Sequence, residues 1–350
     1  MVEYTVLLGA GASVPYNLPM FPEFFNKMKG LSDIEANDIT IIHDILAPHL
    51  NLEEFYVLIS SLRREDIAIN INLWTDIGQE TYKRLKEDLC KDGTILDWNK
   101  VLNNLESSIP KCILSLGDSK KSDAYQKLIH WIISLRDTCK EEKTKYQKLE
   151  IITLNWDHLI EEALGVGNLF PRYPGLDLKC RSNGIRVIRP HGGLPLLYCP
   201  NGCPDDNVSV TPPEYLIWNR KPSPLPICPN CNHTKKYLIP APFLARTTSS
   251  VKRFMAKAFS EAHMAIRNTK RLIIIGYSFP SSDLDFMVNI QNAISKGKSE
   301  EIIIVTSPNG GYELMKYMGD LSRIFFPINA ISKIRVEPVG FQNFNFRSIE

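Results

Sequence analysis

Four short and almost continuous apolar runs stand out along the 350-residue chain. They cover Tyr4–Leu8, Glu150–Leu154, Arg271–Ile275 and Glu301–Thr306, and Ile185–Ile188 is a weaker fifth run. Runs of this length and composition are typical of strands buried on both faces of a parallel sheet. The four strong runs end in small or polar residues, and open parallel sheets bind ligands beyond the carboxyl ends of their strands. The pattern therefore predicts an α/β fold with a site at those ends.

Two insertions interrupt this strand pattern. Residues 21–148 have helical periodicity, most clearly in Leu52–Arg63, Thr75–Leu89 and Ala124–Lys140, and they predict a helical insertion. Residues 197–236 are rich in Pro, Asn and Cys and predict a small separate module. The predicted Rossmann-like core then consists of residues 1–20, 149–196 and 237–350.

The composition is that of an ordinary globular protein, with 44% hydrophobic and 23% charged residues. The formal net charge of +2 gives no electrostatic reason to expect nucleic acid as the primary partner. The first residues lack the basic and apolar regions of a signal peptide, and the longest apolar runs are far too short to span a membrane. We therefore expect a cytoplasmic protein with no membrane partner.

The first strand is followed by Gly9-Ala10-Gly11-Ala12-Ser13. Glycines at this point let the backbone turn tightly and approach a ligand, with amides free to meet a pyrophosphate. The third glycine of the dinucleotide-binding fingerprint is missing, so the motif alone is of moderate specificity. A tight turn from strand to helix without any ligand is the alternative.

Two further segments place chemically useful side chains beyond strand ends. Asn155 and Asp157 follow the second strand, although either could simply cap the next helix. His191 lies between Pro190 and a Gly-Gly pair, which indicates an imidazole presented from a loop. An imidazole in such a position can act as a general base near neutral pH.

The eight cysteines divide into two groups. Cys199 and Cys203 form one close pair, and Cys228 and Cys231 form a second pair after twenty-four intervening residues. Two such pairs predict a closed, structural Zn²⁺ site with four thiolates, and a redox role is the weaker alternative. His233 is near enough in sequence to replace one ligand, which we do not expect. The other four show no pattern and are expected to be buried thiols: Cys90, Cys112, Cys139 and Cys180.

The last two strong strands also end in polar turns. Gly276 and Ser278 follow the third run and could approach a nucleotide, while Asp283 could cap the next helix. Asn309 follows the fourth run in the same way. Each of these signals is weak alone, because turns commonly use such residues.

Taken in order from Val6 to about Asn309, these motifs resemble the sirtuin superfamily. The resemblance implies a sirtuin-type Rossmann-like fold that binds NAD⁺, with the helical insertion and the zinc module at the places where that family has them. It implies that Asn155 and His191 are the catalytic pair and that Asp157 supports the nicotinamide-ribose pocket. The implied NAD⁺ contacts are Gly9, Ala10, Gly11, Ser13, Asp157, Gly276, Ser278 and Asn309.

Departures from the protein-deacylating sirtuins narrow the expected activity. Where those enzymes have a G-I-P-D-F-R segment, residues 14–22 contain no Arg, and Leu154 replaces the usual Gln before the catalytic Asn. Their peptide-pairing strand corresponds to Tyr237–Arg246, whose prolines disfavour strand pairing. The chain is thus similar to the sirtuin-like NADases of bacterial antiphage defence, which hydrolyse NAD⁺ to ADP-ribose and nicotinamide.

The same resemblance suggests how such an activity would be controlled. About forty residues follow the last strong strand, too few for a fused sensing domain. We therefore expect control through homo-oligomerisation or a partner such as a HerA-type ATPase. An NAD⁺-dependent deacylase or ADP-ribosyl transferase, and a non-catalytic NAD⁺ or ADP-ribose sensor, remain alternatives.

Overall fold

A computed structural model of the chain describes most of the strands and helices expected from the sequence. The described residues are 2–18, 21–29, 39–40, 42–44, 55, 59, 98–118, 122–141, 149–174, 176, 184–203, 208–212, 216, 224–239, 249–279, 283–308 and 328–349. Among them are ten strands: β1 Val2–Leu8, β2 Leu149–Thr153, β3 Phe170–Arg172, β4 Gly184–Ile188, β5 Gly193–Tyr198, β6 Ser209–Val210, β7 Lys236–Leu238, β8 Thr269–Ile275, β9 Glu301–Val305 and β10 Ile334–Glu337.

Seven of these strands form one parallel sheet in the order β10-β9-β8-β1-β2-β4-β3. The chain runs outward from β1 through β2 on one side and returns to β8 on the other. The order therefore reverses between β1 and β8, which is where open α/β sheets bind ligands. The predicted Rossmann-like α/β fold is confirmed.

The central strands are apolar and buried towards their carboxyl ends because both faces of the sheet are covered there. Val6, Ile151 and Ile273 point into a core shared with the helical insertion. Leu7 and Ile274, their alternating neighbours, point into a second core on the opposite face. This alternation explains why each strand appeared in the sequence as a continuous apolar run.

Seven helices accompany the sheet in the described residues. They are α1 Phe21–Met28, α2 Trp98–Leu116, α3 Ala124–Glu141, α4 Leu159–Val166, α5 Ser249–Asn268, α6 Leu284–Ser295 and α7 Ile328–Ile331. None of the helices in this part of the chain combines the length and the apolar character needed to cross a membrane.

The described part of the predicted insertion is helical, and its helix α3 packs against the sheet. Trp131 of α3 meets Tyr4 of β1 edge to face, with the ring centroids 5.0 Å apart. The predicted helix Ala124–Lys140 is confirmed by α3. Of the predicted Leu52–Arg63 segment only Phe55 and Ile59 are described, and Thr75–Leu89 lies outside the described residues.

The cysteine-rich segment, predicted as residues 197–236, belongs to a small antiparallel sheet of three strands in the order β6-β5-β7, which extends from Gly193 to Leu238. Its last strand contains Tyr237 and Leu238, so the start of the Tyr237–Arg246 segment does pair as a strand, and residues 240–246 lie outside the described residues. The short strands β3 and β10, at the two edges of the main sheet, were not predicted. At three and four residues they are too short to show a periodicity.

Candidate functional site

The loops predicted to form the site all follow the carboxyl ends of neighbouring strands of the main sheet. Leu8, the last residue of β1, is in register with Thr153 of β2 and with Ile275 of β8. The segments that follow these three residues are therefore neighbours. They contain the glycine loop, the Asn155 segment and the Gly276 loop.

The glycine loop packs directly against the loop after β8. A Cβ on Gly9 would lie 2.6 Å from Tyr277 Cα, and one on Gly276 would lie 2.2 Å from the nitrogen of Ala12. Gly276 also has a φ of +64°, in the left-handed region that favours glycine. The glycines are thus required for the close approach of two loops, whether or not a ligand binds.

The sequence predicts that the backbone amides of this loop are free to bind a pyrophosphate, but three of them bond to the protein instead. Gly9 N–H donates to Ile275 O at 2.9 Å, and Gly11 N–H donates to Gly276 O at 2.8 Å. Ser13 N–H donates to Ala10 O in a short 3-10 turn. In this conformation the backbone donors of Gly9, Gly11 and Ser13 are committed to the protein itself.

Ser13, Asn155 and Asp157 form one chain of buried hydrogen bonds. Ser13 Oγ donates to Asp157 Oδ2 at 2.6 Å and accepts from Asn155 Nδ2 at 2.9 Å. An ionised carboxylate can only accept, so it takes the Ser13 proton and leaves the Ser13 lone pairs to the Asn155 amide. This fixes the orientation of the amide and turns Asn155 Oδ1 away from Ser13.

Asn155 Oδ1 is buried and has no hydrogen-bond partner in the described part of the chain. A buried acceptor without a donor costs about 1–3 kcal/mol. The site is therefore suited to a ligand that supplies a donor at this point, such as a sugar hydroxyl or a water molecule. The alternative that Asn155 caps the next helix is wrong, because its side chain bonds Ser13 instead.

Asp157 has two roles in the structure. Its Oδ2 accepts from Ser13, and its Oδ1 accepts from the backbone N–H of Leu159, the first residue of α4, at 3.0 Å. Asp157 thus supports the start of α4 from one residue before the cap position, which His158 occupies. Burial raises the pKa of this carboxyl, while the Ser13 and Leu159 hydrogen bonds and the Arg189 charge oppose the rise.

Tyr125 and Tyr16 bring the helical insertion to this cluster. The backbone N–H of Tyr125 in α3 donates to the Tyr16 hydroxyl at 2.7 Å. Burial, reinforced by the Asp157 carboxylate, raises the pKa of the Tyr125 hydroxyl well above its usual value, and side-chain hydrogen bonds with Ser13 and Asn155 oppose the rise. We did not predict Tyr125, because the sequence of the insertion shows only helical periodicity around it.

Arg189 holds the Asn155 and His191 segments together. Its guanidinium donates to Asn155 O at 2.7 Å, to Asp157 O at 2.9 Å and to Gly192 O at 3.2 Å. Two further bonds reach the carboxylate of Glu161, and the Arg189 side chain is completely buried. One cation thus fixes three carbonyls in the two loops that present the predicted catalytic pair.

His191 faces the carboxylate of Asp283, which the sequence predicts only as a helix cap. Its Nε2 lies 3.3 Å from Asp283 Oδ1. Asp283 stands at the cap position of α6, yet its side chain makes no capping hydrogen bond, so the predicted capping role is wrong. The structure therefore brings His191 and Asp283 together, which the sequence did not indicate.

Three predicted NAD⁺ contacts remain: Ala10, Ser278 and Asn309. Ser278 is exposed, and Ala10 is partly exposed beside the packed glycines. Phe279, in the same loop as Ser278, has a φ of +54°, an uncommon conformation for a bulky residue. Asn309 lies outside the described residues.

The four predicted metal ligands form one cluster. The sulfurs of Cys199, Cys203, Cys228 and Cys231 all lie within 4.8 Å of one another, and all four thiols are free. Cys199 Sγ is 3.8 Å from Cys203 Sγ and 3.5 Å from Cys231 Sγ. A tetrahedral site with Zn–S bonds of about 2.3 Å has sulfurs about 3.8 Å apart. The cluster therefore fits a zinc ion.

Each cysteine pair is shaped by a left-handed residue. Gly202 precedes Cys203 with a φ of +64°, and Asn232 follows Cys231 with a φ of +58°. Asn232 N–H donates to Cys228 O, which closes the turn. His233 lies outside the cluster and contacts Asn201, so the four-cysteine set stands.

The chain matches none of the known protein-family models, and no curated protein matches it either. Its function is therefore inferred from the residues of the site and their geometry.

Proposed function

We propose that this chain is a sirtuin-like NAD⁺ glycohydrolase that cleaves NAD⁺ and water to ADP-ribose, nicotinamide and a proton. The main observation is the buried hydrogen-bond chain Asn155–Ser13–Asp157, which leaves Asn155 Oδ1 as an unpaired acceptor among the described residues. It lies beyond the carboxyl ends of β1 and β2, close to the reversal of strand order. The order of motifs that resembles the sirtuins supports the choice of NAD⁺ as the ligand.

The proposed chemistry needs few protein groups. Nicotinamide leaves with the bonding electrons of a cationic glycosidic bond and becomes neutral, so no general acid is required. The site must stabilise an oxocarbenium-like centre and hold a water molecule. Asn155 Oδ1 accepts a hydrogen bond from that water or from a ribose hydroxyl, and His191 takes the proton that the water loses.

Supporting roles follow from the same contacts. Asp157 keeps the Asn155 amide in the required orientation through Ser13. Arg189 keeps the two loops in place. The glycines at positions 9, 11 and 276 contribute the close loop packing, and NAD⁺ contacts at Ala10, Ser278 and Asn309 remain part of the proposal.

The four-cysteine cluster is assigned to a structural Zn²⁺ ion. Four thiolates leave no open coordination position for a substrate or water, so the metal stabilises the small three-stranded sheet. No step of the reaction is assigned to it.

The biological role that best suits uncontrolled loss of NAD⁺ is an antiphage effector. We propose that the activity is held in check and released through self-assembly or through a partner such as a HerA-type ATPase. A deacylase or transferase, and a sensor without turnover, are the alternatives that the assay must separate.

The test is incubation of the purified full chain with NAD⁺, alone and with the candidate ATPase, followed by chromatography of nicotinamide and ADP-ribose. We expect both products in equal amounts without any acyl-lysine peptide. Release that requires such a peptide would indicate a deacylase instead. Binding of NAD⁺ with no release under any of these conditions would indicate a sensor.

A further inference from the structure

Asp283 is buried, with 6% of its surface exposed, and its side chain makes no capping hydrogen bond to the helix that it precedes. A carboxylate in the first turn of a helix normally accepts from free backbone N–H groups. Here Oδ1 lies 3.3 Å from His191 Nε2, and Oδ2 accepts from the Tyr277 hydroxyl at 3.0 Å. Both oxygens thus face side chains of the site.

The surroundings of this pair are aromatic. The Phe286 ring of α6 is 5.7 Å from the imidazole, and the Phe259 ring of α5 is 6.2 Å from it. Titratable groups at the contact include His191, Asp283 and Tyr277. Burial raises the pKa of the Asp283 carboxyl to about 6, and the Tyr277 hydrogen bond opposes the rise. An ionised carboxylate 3.3 Å from an imidazole nitrogen favours the protonated form of the imidazole.

We propose that Asp283 is a positioning residue for His191, holding the imidazole with its proton on Nε2 and leaving Nδ1 as the base. The inference rests on the proposed NAD⁺ hydrolysis. Nδ1 takes the proton that the attacking water loses, and the carboxylate stabilises the imidazolium that results. The proton then passes to solvent as the products leave. Tyr277 supports the arrangement by stabilising the ionised form of Asp283.

The first test does not depend on activity. The protein is labelled with ¹⁵N-histidine, His191 is assigned by comparison with His191→Gln, and its ring nitrogens are titrated by NMR. Asp283→Asn removes the charge but keeps the shape, and Asp285→Asn is the matched control, since Asp285 is exposed on the same first turn of α6. We expect the His191 midpoint to fall by about one pH unit or more in Asp283→Asn and to stay unchanged in Asp285→Asn.

The second test measures nicotinamide release from NAD⁺ against pH. We expect Asp283→Asn to lower kcat about tenfold to a hundredfold with little change in KM, and to move the acid limb of the profile to lower pH. Tyr277→Phe should move that limb to higher pH, because Asp283 then takes up its proton more readily. This second variant keeps the proposal testable if Asp283→Asn does not fold.

The outcomes separate the two proposals. A wild-type chain that releases no nicotinamide would refute the proposed function, while the NMR titration would still decide the pairing. A folded Asp283→Asn protein with an unchanged His191 titration would overturn the positioning role, whatever the activity. Unchanged pH profiles in both variants would overturn it as well.

Discussion

Asn155 and Asp283 are both polar side chains buried at the carboxyl edge of the sheet, and each is constrained by one neighbour. Ser13 occupies the Asn155 amide nitrogen, so the amide oxygen is left for a ligand. Tyr277 occupies one Asp283 oxygen, so the other is left for His191. The Ser13 and Tyr277 hydroxyl groups thus determine which oxygen of Asn155 and which oxygen of Asp283 is available to another group.

The raised pKa of Asp283 has a measurable effect on stability. Its pKa rises from 3.8 in the unfolded chain to about 6 in the folded protein, so the native state binds the proton more readily. The stabilising contribution is then complete below about pH 4 and is lost as the pH rises through 6. Between these pH values we expect the free energy of unfolding of wild type to fall by up to about 3 kcal/mol relative to that of Asp283→Asn.

Urea unfolding of both proteins between pH 4 and pH 7.5 measures this difference. A free-energy difference that stays constant with pH would contradict the raised pKa. A difference that grows in favour of wild type would show that the His191 ion pair outweighs the cost of burying the carboxylate.

At the scale of elements, the contact between the β1 and β8 loops requires glycine. Gly276→Ala places a Cβ 2.2 Å from the nitrogen of Ala12 at a φ of +64°. We expect it to lower the free energy of unfolding by at least about 2 kcal/mol, through strain in the left-handed conformation and the overlap. Gly165→Ala is the matched control, because a Cβ there in helix α4 meets nothing within 4 Å.

For Gly165→Ala we expect the free energy of unfolding to rise by about 0.5–1 kcal/mol, the usual difference between Gly and Ala inside a helix. Equal effects of the two substitutions in chemical denaturation would show that the loop contact does not exist as described.

The two loops of the catalytic pair depend on a single buried cation. Arg189→Met removes the donor of three carbonyls and the partner of Glu161, and we expect a loss of about 3–5 kcal/mol in stability. Arg186→Met is the matched control, because Arg186 comes from the same strand region and is partly exposed beside Glu150 and Glu261. Arg186→Met should lower the free energy of unfolding by less than about 1 kcal/mol.

Thermal or urea unfolding of the two variants compares these costs directly. Lysine at position 189 should restore little, because it cannot serve three carbonyls and a carboxylate at once. A cost at position 189 no larger than at position 186 would contradict the role of Arg189.

The element scale also shows what the sequence could and could not predict. The β1, β2, β8 and β9 strands were predictable because burial on both faces produces unbroken apolar runs. The short edge strand β10 was missed because pairing with β9, not its own pattern, makes it a strand. Asp283 was read as a helix cap because its local sequence is that of a cap, and only tertiary packing turns it towards His191.

At the scale of the whole molecule, the site draws on parts that are far apart in sequence. Tyr125 comes from the helical insertion, Asn155 and His191 follow β2 and β4, and Asp283 follows β8. The cysteine module begins with β5, directly after the His191 loop. Leu194 N–H of β5 also donates to Trp156 O at 2.7 Å, so the module is joined to the Asn155 segment as well.

Metal content is a direct test of the four-cysteine module. We expect about one zinc per chain by elemental analysis, and a lower melting temperature after chelation, because a four-thiolate site contributes folding free energy. Cys228→Ser should reduce zinc content, and Cys112→Ala should not, since Cys112 is a buried thiol whose pKa is raised to about 12. Zinc-free protein that melts at the same temperature would contradict the assignment.

The most direct test of the proposed activity is the rate of nicotinamide release from NAD⁺ by wild type, Asn155→Ala and His191→Ala. Asn292→Ala and His130→Ala are matched controls, because both residues are exposed on helices and have no assigned role in the site. We expect release by wild type and both controls, and a loss of at least about a hundredfold in the two site variants, with melting curves that show them folded. Undiminished release in either site variant would contradict the account.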